Sequence, residues 1–182
     1  MSLVKKIIKL LLLAISITFL HIVIISFFPY PLNHINVAML LLLLIFIITN
    51  RENYIWLGVL VGLLLEMFTS VPYGVNLASL VASIIFINWL SLNIFTYRSL
   101  YMVFIIGILG SFIYRFIFSV LIFFVSVVNQ TDFYLFKGTF LLDIGLEILL
   151  TGFALFILYM ISIRMLKYLR SDHLSDNSMF KL

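Results

Sequence analysis

Trp56–Gly74 (WLGVLVGLLLEMFTSVPYG) is an almost unbroken apolar run that carries one carboxylate, Glu66, and closes in a Pro72-Tyr73-Gly74 turn. A charge inside such a run is costly unless it is paired, protonated or close to water. Gly58, Gly62 and Glu66 recur every four residues, so a helix presents them along one side. That side is small and then acidic, which suits close packing against another helix better than contact with lipid. The reading is a packed bundle of apolar helices. Taken alone it names no function.

The remainder of the 182-residue chain is of the same kind. It is 65% hydrophobic and only 10% charged, with a mean hydropathy of +1.29. A soluble domain needs more polar surface, so the expected fold class is an all-α integral membrane protein. Six apolar segments stand out, approximately Ile7–Phe28, Ile35–Thr49, Tyr54–Ser70, Val75–Phe95, Tyr101–Val128 and Thr139–Ile163. The first is long enough to cross about 30 Å of hydrocarbon and ends in Phe-Phe-Pro-Tyr-Pro, without a small-x-small cleavage pattern, so it is expected to remain as a helix. The second and third are short for full spans. The fifth is long, and Gly107 and Gly110 offer places to take up a tilt or bend.

Positive charge orients the bundle. Lys5, Lys6 and Lys9 precede the first segment, Arg51 and Arg98 lie in alternate connections, and Arg164, Lys167, Arg170 and Lys181 follow the sixth. Six spans put all of these on one side, with both termini cytoplasmic; five spans would separate the terminal clusters. The expected organisation is one polytopic membrane domain, 1–170, and a short polar cytoplasmic tail, 171–182, read as disordered.

Four ionisable side chains then lie at membrane depth: Glu66, Arg115, Asp143 and Glu147. Asp143 and Glu147 share a helical face, and Gly107, Ser111, Arg115 and Ser119 repeat at the same spacing. Arg115 is the only cation among the four, and its expected partner is Glu66 or Glu147. These groups serve as glue between helices, or they mark a partner, lipid or transport site. Gly58, Gly62, Gly107 and Ser111 are read as packing positions and Pro72 with Gly74 as a turn. Asn76, Ser79 and Ser83 continue as polar spots on the fourth helix, and Trp56 and Trp89 fit interfacial belts.

Signatures of catalysis are missing. Cysteine is absent, and His21, His34 and His173 are scattered over a helix, a loop and the tail, which is poor geometry for a metal. No His-Glu-x-x-His, nucleophile elbow or phosphate-binding loop occurs. No cofactor, metal, catalytic residue or nucleic-acid partner is expected.

The span from about Pro31 to Phe118 resembles the MreD family of rod-shape-determining membrane proteins. The similarity lies in the short leucine-rich second helix, the turn with Arg51, and Gly58-x-x-x-Gly62-x-x-x-Glu66 leading through Thr69-Ser70 to Gly74. In that family an aspartate is more usual at the position of Glu66, and a proline is common where this chain has His34-Ile35-Asn36. The resemblance implies a non-catalytic component of the cell-wall elongation machinery in the bacterial cytoplasmic membrane. It would support rod shape and lateral peptidoglycan synthesis beside an MreC-like bitopic protein, an MreB-like actin homologue, and a glycan polymerase and transpeptidase. MreD-like proteins are also similar to the six-helix substrate-binding subunits of energy-coupling-factor vitamin transporters, which makes such a subunit the competing expectation. The Ala-x-x-x-Ala docking motif common in those subunits is absent around Ala14.

Overall fold

The computed structural model describes residues 2–49, 53–93, 100–129 and 140–176. Among these residues six α-helices follow in order: α1 (Ser2–Phe27), α2 (Val37–Thr49), α3 (Asn53–Phe68), α4 (Val75–Asn93), α5 (Leu100–Asn129) and α6 (Phe140–Asp176), with a 3₁₀ turn, Leu32–His34, before α2. No strand occurs among the described residues. The helices α1, α4, α5 and α6 are each long and apolar enough to cross a membrane, whereas α2 and α3 are shorter apolar helices. The last helix continues to Asp176, past the boundary expected at Arg170.

Sequence neighbours run antiparallel. His21 of α1 meets Ala38 of α2, Gly58 and Gly62 of α3 face Ile84 and Leu77 of α4, and Gly107 of α5 faces Gly152 of α6. The short α2 is the centre of the bundle, packed by α1, α3, α5 and α6. At 1.5 Å per residue its 13 residues reach only about 20 Å. Val37, Ala38, Met39 and Leu40 are all buried in succession, followed by Leu42, Leu43, Phe46 and Ile47. Only the side with Leu41, Leu44, Ile45 and Ile48 is partly open, and a helix packed on most of its surface within an apolar bundle is apolar all round.

Small residues set how closely the helices approach. A Cβ on Gly62 would lie 2.8 Å from the Leu77 backbone, and one on Gly107 would lie 3.0 Å from the Gly152 backbone. Gly110 makes room for Leu43 and Met39 of α2. Gly107 and Gly110 are therefore contact points with neighbouring helices. Between apolar helices in lipid, such proximity replaces the hydrophobic drive with dispersion contacts. Ser79, Ser83 and Ser111 are fully buried and donate to carbonyls four residues back, Val75, Ser79 and Gly107. Their hydroxyls are satisfied within their own helix, and they pack as small residues.

The glycines differ in a way that tests this packing. Gly145 has open space where a Cβ would go. Gly62→Ala should destabilise the protein by about 1–3 kcal/mol through overpacking, whereas Gly145→Ala should be neutral or stabilise it by up to about 1 kcal/mol by favouring the helix. Thermal unfolding of the two variants in one detergent checks the contrast.

Candidate functional site: a buried polar layer at one end of the bundle

The connection between α1 and α2, the end of α3 and the start of α4 meet one stretch each of α5 and α6. There the bundle buries Asn36, Glu66, Asn76, Glu147 and Thr151, together with Tyr114. Each helix start in this layer leaves N–H groups without intrahelical acceptors. Side chains from other helices supply them.

Glu66 does this for α4. Its Oε1 accepts from the Gly74 amide at 2.7 Å and from the Leu77 amide at 3.1 Å. Gly74 has φ +94°, a conformation that favours glycine. Glycine at this helix start has no side chain to cap the first turn, so the carboxylate comes from the end of α3. A negative group is also favoured there by the helix dipole. Nearby, Asn76 Nδ2 donates to Thr69 Oγ1 at 2.8 Å, and its Oδ1 lies 3.5 Å from the Tyr114 hydroxyl.

The start of α2 is held from three directions. Asn36 Oδ1 accepts from the Met39 amide at 3.0 Å, the usual N-cap arrangement. His21 Nδ1 of α1 accepts from the Ala38 amide at 3.3 Å. Thr151 Oγ1 of α6 accepts from the Asn36 amide at 3.1 Å, and Asn36 Nδ2 donates to Glu147 Oε1 at 3.4 Å. The other oxygen of Glu147 takes the Arg115 Nε at 2.5 Å. The two members differ in exposure, with side chains 27% and 5% accessible. The Arg115 guanidinium also lies 5.5 Å from the Phe118 ring centre, within cation–π range.

The four ionisable residues expected at this depth do not form one cluster. Arg115 pairs with Glu147 and not with Glu66, which is engaged by the α4 amides. Asp143 is half-buried in the first turn of α6 and has no hydrogen bond or ion pair among the described residues. A whole turn separates it from Glu147, and the register of α5 places Arg115 at the inner one. Asn36, Thr151, His21 and Gly152 are not among the expected site residues, His21 being read from the sequence only as one of three scattered histidines. Asn36 carried a legible signal, since asparagine before an apolar helix is a cap.

A polar cavity of about 160 Å³ opens beside the Arg115–Glu147 pair. His21, Asn33, His34 and Asn36 line it from the α1–α2 side, and Tyr114, Arg115 and Glu147 from the other. Two histidines that looked scattered in sequence are thus brought together. No group of three or more metal-ligating side chains occurs among the described residues. Both oxygens of Glu147 are already engaged, which leaves it poorly placed as a free general base.

No protein-family model matches this chain. No curated protein and no solved structure matches it either.

Removing Arg115 alone leaves Glu147 buried without its countercharge. Such a loss typically costs about 3–5 kcal/mol, whereas replacing both charges with apolar groups is often nearly neutral. Arg115→Leu should therefore be markedly less stable than the double variant R115L/E147L. Unfolding of both in detergent checks the contrast, and adding Glu147→Leu and the wild type closes the cycle that gives the coupling energy.

Proposed function

We propose that this chain is a non-catalytic membrane scaffold of the MreD type, built as six spans with both termini cytoplasmic in a bacterial cytoplasmic membrane. The observation that carries the reading is how the buried carboxylates are engaged. Glu66 caps a helix, and Glu147 is held by Arg115 and Asn36. They serve to hold helices together. The segment that carries the resemblance behaves as one unit, since Gly58 and Gly62 seat α4 and Glu66 caps it.

Charge and aromatic placement support the six-span arrangement. Helices α2 and α4 start in the polar layer and run away from it, and in the sequence the basic residues Arg51 and Arg98 follow their far ends. Trp56, Trp89 and Tyr101 are exposed near that basic end, and Tyr30 and Tyr73 near the other, as interfacial belts require. Short α2 and α3 fit a thinned or partly enclosed path across the bilayer.

In this role the bundle would work beside an MreC-like bitopic protein, an MreB-like filament, and the polymerase and transpeptidase of lateral wall synthesis. The exposed Pro72-Tyr73 turn immediately precedes Gly74, whose amide Glu66 holds. The polar cavity favours a second reading, a substrate-binding subunit of an energy-coupling-factor type transporter. Depletion in the native host separates the two. A scaffold predicts rounding of rods that no nutrient corrects, and a transporter subunit predicts rescue by one vitamin.

The topology has its own test, made clean by the absence of cysteine. Tyr73→Cys should react with a membrane-impermeant maleimide in intact spheroplasts, and Ser2→Cys only after lysis. Labelling of Ser2→Cys in intact spheroplasts would remove the six-span arrangement.

A further inference from the structure

The cavity beside Arg115 holds more open donors than open acceptors. Arg115 uses Nε for Glu147, and its Nη groups have no hydrogen-bond partner among the described residues. His21 accepts through Nδ1, so in the neutral ring the proton is on Nε2, which no described residue engages. Both oxygens of Glu147 are occupied. Two acceptors are left over: the unprotonated ring nitrogen of a neutral His34, and Asn33 Oδ1, which is buried without a partner. A buried polar atom of this kind calls for a water or a ligand group. The volume of about 160 Å³ is well above the roughly 15 Å³ that seats one water.

An occupant that fits must bring acceptor oxygens to Arg115 and His21 and one donor to Asn33. Arginine with a fixed Nε edge is suited to planar or tetrahedral oxyanions through its remaining N–H groups. We propose that the cavity binds the oxyanion of a small hydroxylated molecule, a phosphate or carboxylate group carried either by a free metabolite or by an anionic lipid headgroup. The hydroxyl satisfies Asn33. The apolar side chains of Ile25 and Ile35 complete the lining and tolerate a short carbon chain. This inference rests on the cavity alone and holds for a scaffold or a transport subunit.

The test uses the full-length protein. Labelled glycerol 3-phosphate is titrated in detergent by equilibrium dialysis, and native mass spectrometry counts lipid retained from nanodiscs of phosphatidylglycerol or of phosphatidylcholine. Both lipids carry a phosphate, but only the first carries headgroup hydroxyls. The expected result is saturable binding of one glycerol 3-phosphate per chain, or retention of one phosphatidylglycerol at least tenfold over phosphatidylcholine. The first outcome assigns a soluble ligand and the second a lipid.

Asn33→Leu removes the orphaned carbonyl and fills part of the cavity. It should leave the melting temperature unchanged or raised while weakening binding at least tenfold. Ile25→Phe, which narrows the cavity from α1 without touching a hydrogen bond, should give the same loss. Absence of saturable glycerol 3-phosphate binding together with equal retention of the two lipids, or wild-type binding in both variants, would overturn the proposal.

Discussion

Helix α2 begins inside the bundle, where the amides of its first turn have little water to turn to. This constraint organises the rest of the molecule. Unsatisfied N–H groups among apolar helices are costly, and α2 is too short to carry its start out to an interface. Its first-turn amides are answered instead by Asn36 itself and by His21 of α1, and the Asn36 amide by Thr151 of α6. Three elements are thereby fixed around one helix end. Glu147 then holds Asn36 in place and brings Arg115 of α5 into the same arrangement.

The second buried acid solves the same problem differently. Glu66 reaches from the end of α3 to the first turn of α4, across a turn whose glycine cannot cap for itself. The two carboxylates are alike in burial and unlike in partner: one faces backbone amides and needs no cation, and the other faces an arginine. Away from this layer, packing rests on glycines that admit Ile84 and Leu77 along α3–α4 and bring α5 against α6. Polar satisfaction holds one end together, and close approach of small residues holds the length of the bundle.

Much of this architecture is legible in the sequence because it is local. The apolar runs predict α2 to α5 to within a few residues and α1 to within five, while α6 runs past Ile163 through polar sequence to Asp176. The Gly58, Gly62, Glu66 stripe marks the side of α3 that meets α4. Gly74 declares its turn. The enclosure of α2 is harder to read, since an apolar helix facing lipid has the same composition as one surrounded by protein. Partner choice is harder still. Arg115 had two candidate acids, and only the register of α5 against α6 selects Glu147. Likewise His21 and His34 are thirteen positions apart and share a cavity only because the chain turns back after Pro31.

The central claim is that side chains from neighbouring helices hold the start of α2. Hydrogen–deuterium exchange of a peptide covering Ile35 to Leu40, compared between wild type and Asn36→Ala in nanodiscs, tests it most directly. The account predicts slow exchange in the wild type and exchange at least tenfold faster in Asn36→Ala, with the Gly74–Leu77 amides unchanged. Equal exchange of the Ile35–Leu40 peptide in the two proteins would contradict it.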